Sequence, residues 1–199
     1  MKLLVVVDMQ KDFVDGALGS AEALAIVPAV KALIEGFDGE VYFTRDTHFE
    51  NYMSTEEGRH LPVPHCIKDT EGWQILPELD ALRTTDAIDK LTFGSKELIA
   101  LLAEKQDIES ITLCGLCTDI CVISNALLLK AYYPEIPLYV VADACAGVTP
   151  ESHQNALDAM KMCQVEITNT IMFSEMESYR TADTFGNAFS FEINRFDSF

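Results

Sequence analysis

Short apolar, β-branched runs separated by stretches of helical spacing constrain this chain more than any other feature of its sequence. Leu3–Val7 is continuously apolar and ends on Asp8. Val41–Thr44, Ser110–Cys114, Leu138–Ala142 and Val165–Thr168 are further short strand candidates. Between them, Ala21–Gly36 sets Leu24, Val27, Val30, Leu33 and Ile34 on one side of a helix, with Gly36 as its expected cap. Further helices are expected over Lys96–Lys105, from about Asp119 to Tyr132, and from Thr149 through Met162. Thr149 reads as the N-cap of the last of these, with Pro150 at the first helical position. Strand and helix segments alternate along the chain, and the strands read as buried. That predicts an α/β fold, a three-layer α/β/α sandwich around a mainly parallel central sheet.

The length of 199 residues suits one domain over 1–199. Acidic residues number 32 against 14 basic, a net charge of −18. Such a surface repels phosphate backbones and anionic lipids, so neither nucleic acid nor membrane is an expected partner, but the charge identifies no substrate. The opening apolar run is too short for an export signal, and no stretch reaches a membrane-spanning length. With six cysteines and no export signal, the expected setting is the reducing cytoplasm, with thiols free or chemically employed.

Parallel sheets bind ligands at the carboxyl ends of their strands. Asp8, Asp46, the Gly115–Cys121 segment and Asp143 are all expected there. In Cys114-Gly115-Leu116-Cys117-Thr118-Asp119-Ile120-Cys121, a strand gives way to a turn and then a helix. Cys121 would fall in the first helical turn, where the dipole favours a thiolate and free amides could hold an oxyanion. Simple packing of small cysteines fits the spacing equally well. Metal capture by Cys114, Cys117 and Cys121 fits less well, for want of a fourth thiolate. Asp8 ends a buried strand, where a carboxylate is costly as ornament; function and helix capping compete for it. Lys90 alone reads as a solvated charge.

Residues 46–80 lack sustained periodicity and read as a long loop, usually a functional feature in a compact domain. The loop holds three of the four histidines, with Asp46, His48, Glu57, His60 and His65 offering carboxylate and imidazole ligands for a divalent metal.

Together these segments resemble the nicotinamidase/pyrazinamidase branch of the isochorismatase-like cysteine hydrolases, over about residues 2–170. The matching motifs are Val7-Asp8-Met9-Gln10-x-Asp12-Phe13, Thr44-Arg45-Asp46-Thr47-His48, Pro64-His65-Cys66, Lys90 and Gly115-x-x-Thr118-Asp119-x-Cys121-Val122. The resemblance implies hydrolysis of nicotinamide to nicotinate and ammonia, with Asp8, Lys90 and Cys121 as the catalytic triad. It implies an oxyanion hole from the backbone amides of Cys117 and Cys121, and a cis peptide between Leu116 and Cys117. It also implies one divalent metal ion, zinc with iron or manganese as alternatives, held by Asp46, His48 and His65. Many relatives place a further histidine where this chain has Glu50-Asn51-Tyr52-Met53-Ser54. Glu57 is the candidate replacement, with Glu56 and His60 as rivals. Phe13, Leu61 and Phe93 are candidate walls for the substrate ring, against ordinary core packing. A homo-oligomer is the expected assembly, and 171–199 is an extension whose role the sequence does not reveal.

Two other readings compete. One is a related cysteine amidohydrolase acting on a carbamoyl or ureido substrate; the other is a non-catalytic metal-binding or redox-sensing protein. Isochorismate hydrolysis is disfavoured, because relatives with that chemistry lack the nucleophilic cysteine.

Overall fold

Every residue from Leu3 to Val7 is fully buried, which makes the first strand the centre of the protein. Each such side chain contributes roughly 1.5–3 kcal/mol of burial. The computed structural model describes residues 1–183; the remainder of the expected extension lies outside the described residues. In chain order the elements are β1 (Lys2–Val7), α1 (Lys11–Val14), α2 (Ala21–Ala25), α3 (Val27–Gly36) and β2 (Glu40–Asp46). Then come α4 (Glu56–His60), α5 (Pro77–Asp80), β3 (Ile88–Lys90), α6 (Lys96–Leu102) and β4 (Ser110–Leu116). They are followed by α7 (Ile123–Tyr132), β5 (Leu138–Ala146), α8 (Pro150–Met162), β6 (Glu166–Thr168) and α9 (Thr170–Asp183).

The sheet has strand order β3-β2-β1-β4-β5-β6, and every neighbouring pair is parallel. Helices flank it, giving the expected three-layer α/β/α arrangement. The chain first winds outward from β1 to β2 and β3, then restarts on the other side of β1 with β4. The carboxyl ends of β1 and β4 therefore border a topological switch point, where α/β sheets bind ligands. Among the described residues no helix is long and apolar enough to cross a membrane.

Several boundaries differ from expectation. The single helix over 21–36 is two, α2 and α3, meeting at Ile26. Pro28 causes the break: it has no N–H to donate to the carbonyl four residues back. Phe37, in extended conformation, caps α3, and Gly36 is its last helical residue. The loop over 46–80 contains α4, α5 and a 3-10 turn at Tyr52–Ser54, each too short to show a period. β5 runs on to Ala146, so Asp143 lies inside that strand and not beyond its end. Its carboxylate accepts from Thr170 N at 2.8 Å and Thr170 Oγ1 at 2.6 Å, fastening the start of α9 away from the switch point. Thr149 caps α8 as expected, in a capping box with Ser152. The six cysteines are free.

Candidate active site

Gly115 lies in β4 beside Val7, its register partner in β1. Its φ is +112°, and a Cβ there would meet the Val7 carbonyl at 2.1 Å, so only glycine fits. The next peptide, between Leu116 and Cys117, is cis. Thr118–Val122 forms a π-helical turn before α7, with the Cys117 carbonyl accepting from Ile120 N at 3.1 Å and Val122 N at 3.0 Å. π-Turns of this kind are rare and recur at functional sites. This turn brings Cys121 to the carboxyl edge of the sheet.

Asp8 follows β1 with a φ of +49°, left-handed backbone that a non-glycine residue adopts only when its surroundings hold it there. Thr44 supplies part of that hold: its Oγ1 donates to Asp8 Oδ1 at 2.7 Å. Lys90 ends β3 opposite Asp46 at the end of β2. Its Nζ lies 2.7 Å from Asp8 Oδ2, 3.1 Å from Asp46 Oδ1 and 3.3 Å from Cys121 Sγ. Lys90 is fully buried, not the solvated charge its local sequence suggests.

One ammonium therefore sits between two buried carboxylates and a buried thiol. Burial alone would discharge Lys90, but Asp8, Cys121 and Asp46 together hold its pKa well above the ordinary lysine range. Burial, with Asp46 nearby, raises the Asp8 carboxyl against the pull of Lys90. Burial first, then the Asp8 carboxylate, pushes the Cys121 thiol well up despite Lys90. A thiolate would be a third anion around a single cation. The thiolate expected from the helix dipole thus gives way to a protonated resting thiol. Cys114 is buried in β4.

Asp46, His48, Glu57 and His65 form a second cluster beside the first, with donor atoms all within 4.8 Å of one another. His48 Nε2 is 2.9 Å from Asp46 Oδ2 and 3.6 Å from Glu57 Oε1; His65 Nε2 is 3.8 and 3.7 Å from the same two oxygens. His65 Nδ1 lies 2.8 Å from the Val63 carbonyl, which can only accept. Nδ1 therefore carries the proton, and Nε2 offers its lone pair to the cluster. His48 Nε2 is buried and, despite its short approach to Asp46, makes no hydrogen bond. Two such imidazoles and two carboxylates fit a divalent cation of the zinc, iron or manganese type.

The local fold explains why Glu57 and not its rivals joins this cluster. Thr55 caps α4, its Oγ1 accepting from Gly58 N at 3.0 Å. Gly58 presses on Tyr52, whose carbonyl oxygen is 2.1 Å from where a Cβ would stand. The Tyr52 ring packs edge-on against His48 and His65, with centroids 4.7 and 5.1 Å away. Glu57 thereby faces the imidazoles, and burial raises its carboxyl pKa. Glu56 and His60 lie on the exposed side of α4 and pair with each other at 3.0 Å. Phe13 is partly buried with its ring centroid 5.4 Å from that of His65. Leu61 and Phe93 are exposed, on the loops that follow α4 and β3.

Gln10 lies inside the first of the matching motifs, yet nothing in its local sequence marks a role for it. Its Nε2 donates to the Asp46 and Trp73 carbonyls at 2.9 and 2.8 Å, and its Oε1 accepts from Asp46 N at 2.7 Å. It fixes the backbone of the residue common to both clusters.

Fold and site together define a parallel-sheet α/β protein with a buried thiol, carboxylate and ammonium at a switch point, flanked by a four-donor cluster. The chain belongs to the isochorismatase family: the Isochorismatase domain matches residues 2–172. It is an isochorismatase-family hydrolase with nicotinamidase relatives. The nicotinamidase of Schizosaccharomyces pombe is 26% identical over 207 residues, covering 82% of this chain and 91% of the relative. An uncharacterized isochorismatase family protein of Bacillus subtilis is 33% identical over 173 residues, covering 78% and 92%. The pyrazinamidase of Pyrococcus horikoshii, solved in complex with zinc, superposes with a TM-score of 0.70 at 31% identity, covering 84% of this chain and 98% of that one.

Proposed function

We propose that this chain is a cysteine amidase that hydrolyses nicotinamide to nicotinate and ammonia. The observation that carries this reading is Lys90 Nζ, in contact at once with Asp8, Asp46 and Cys121. It joins a candidate nucleophile and base to a carboxylate of the four-donor cluster.

In this reading Asp8 takes the thiol proton as Cys121 attacks the amide carbon, forming the C–S bond. Asp8 Oδ2 suits that role, since beyond its ion pair with Lys90 it has no hydrogen bond. Lys90 remains an ammonium throughout and balances whichever of Asp8 and Cys121 is negative. The backbone amides of Cys117 and Cys121 receive the oxyanion, each such donor being worth about 3–4 kcal/mol. Asp8 returns the proton to the departing nitrogen, releasing ammonia and leaving a thioester. It then draws a proton from water, whose oxygen adds to the thioester carbon; the C–S bond breaks, the Cys121 sulfur takes the proton back from Asp8, and nicotinate leaves.

Asp46, His48, Glu57 and His65 would hold the divalent cation, which when bound supplies a grip on a ring nitrogen. Phe13 beside His65 would form one wall for the ring. The chain acts as a single domain in this scheme.

Ammonia release from nicotinamide, with and without a chelator, tests the proposal. Release that chelation suppresses, and that zinc, iron or manganese restores, is expected. Release from N-carbamoyl amines alone would move the chain to the competing amidohydrolase reading, and no release from either would reject both.

A further inference from the structure

We propose that Asn125 is a positioning residue that sets Cys121 against Lys90 by tying the turn bearing Cys121 to the segment that follows β3. This rests on the roles proposed above for those two residues. Asn125 lies one turn beyond Cys121 in α7 and is 1% exposed. Its Nδ2 donates to the Cys121 carbonyl at 2.8 Å and to the Phe93 carbonyl at 3.1 Å. Its Oδ1 accepts from Ser95 N at 2.9 Å. Both donors and the acceptor of one buried amide thus join two backbone segments, one holding the thiol and one beginning three residues after Lys90.

The join has a mechanical reason. β3 is three residues long, stands at the sheet edge and, among the described residues, pairs only with β2. Its own ladder holds Lys90 from one side. The other side is held through Phe93–Ser95, where Gly94 lies flat on α7: a Cβ there would stand 3.2 Å from the Ser124 carbonyl. Ser95 then caps α6, its Oγ accepting from Leu98 N at 3.0 Å, so the segment is fixed beyond the join as well. None of the hydrogen bonds of Asn125 reaches Asp46, His48, Glu57 or His65.

Two variants break the join from opposite sides. In Asn125→Thr the hydroxyl can still donate to the carbonyl four residues back, while both links to Phe93–Ser95 are lost. Gly94→Ala crowds the seat of the segment on α7, which must give by a few tenths of an ångström, with Asn125 intact. Four quantities are measured: kcat and KM for nicotinamide, bound metal, and the midpoint pH of Cys121 alkylation by iodoacetamide, located by peptide mass. In both variants kcat is expected to fall about tenfold or more, since a displacement of about 1 Å can cost about 100-fold. KM should stay within about threefold and bound metal unchanged, while the alkylation midpoint rises by about half a unit or more as the ammonium leaves the sulfur. An unchanged midpoint in both variants overturns the proposal, whatever happens to kcat. If the wild type releases no ammonia from nicotinamide, the functional reading fails, yet the midpoints still decide this one.

Discussion

Asp46 and Lys90 are register partners at the ends of β2 and β3, and their side chains close to 3.1 Å. The other Asp46 oxygen stands 2.9 Å from His48 Nε2, so one carboxylate belongs to both clusters. Asp46→Asn keeps the shape and removes the charge from both sides. Metal affinity should drop by more than the roughly 10–100-fold that loss of an outer-shell partner costs. Metal content after dialysis against a weak chelator measures it, and full retention would remove Asp46 from the ligand set.

Lys90→Met leaves the Asp8 and Asp46 carboxylates buried without their counter-charge. Removing one partner of a buried ion pair costs about 3–5 kcal/mol, and urea midpoints at neutral pH should show a loss of that order. The pH dependence has a definite sign. The Asp8 carboxyl is already raised above its ordinary 3.8 in the folded protein, and without Lys90 it rises further. A raised carboxyl stabilises the fold only while protonated, below its unfolded pKa, and that contribution is lost as pH climbs through the folded value. The gap between wild type and variant should therefore narrow as pH falls toward about 4, where a solvent-exposed aspartate takes up its proton. A gap that stayed constant from neutral pH downward would contradict the buried-carboxylate account.

The fourth cation ligand is separable by substitution. Glu57 lies 3.6 and 3.7 Å from the two imidazoles, whereas Glu56 and His60 pair with each other at the surface. Glu57→Ala should lower bound metal, and Glu56→Ala and His60→Ala should leave it unchanged. Loss of metal in either surface variant would reopen the assignment.

What the sequence made legible follows from the length scale of each signal. β1 was readable because five consecutive buried apolar residues leave no other interpretation. The α8 start was readable because a cap is encoded within four residues. β3 was not, since three residues carry no period, and with it went the burial of Lys90. That burial comes from pairing with Asp46, which is 44 positions away in the chain. The short helix α4 is illegible for the same reason, yet it turns Glu57 inward and sends Glu56 and His60 outward. Asn125 carries no local signal, because its partners Phe93 and Ser95 are about 30 residues from it and are met through their backbone. Resemblance recovered Lys90 from motif order; it could not recover a residue whose role is to hold others.

The protonated thiol gives the sharpest test of how the proposed triad divides its work. Asp8 raises Cys121 while Lys90 lowers it. Asp8→Asn removes the carboxylate and leaves the ammonium, so the thiol pKa should fall. Alkylation of Cys121 by iodoacetamide should then reach its midpoint at lower pH than in the wild type. Turnover should move the other way. Without Asp8 nothing accepts the thiol proton in step with attack or returns it to the leaving nitrogen, a loss of about 10²–10⁴-fold in kcat. A more reactive sulfur in a nearly dead enzyme is the expected pair of results. Were kcat retained alongside the lowered midpoint, Asp8 would be a charge that tunes the thiol and not the group that moves the proton.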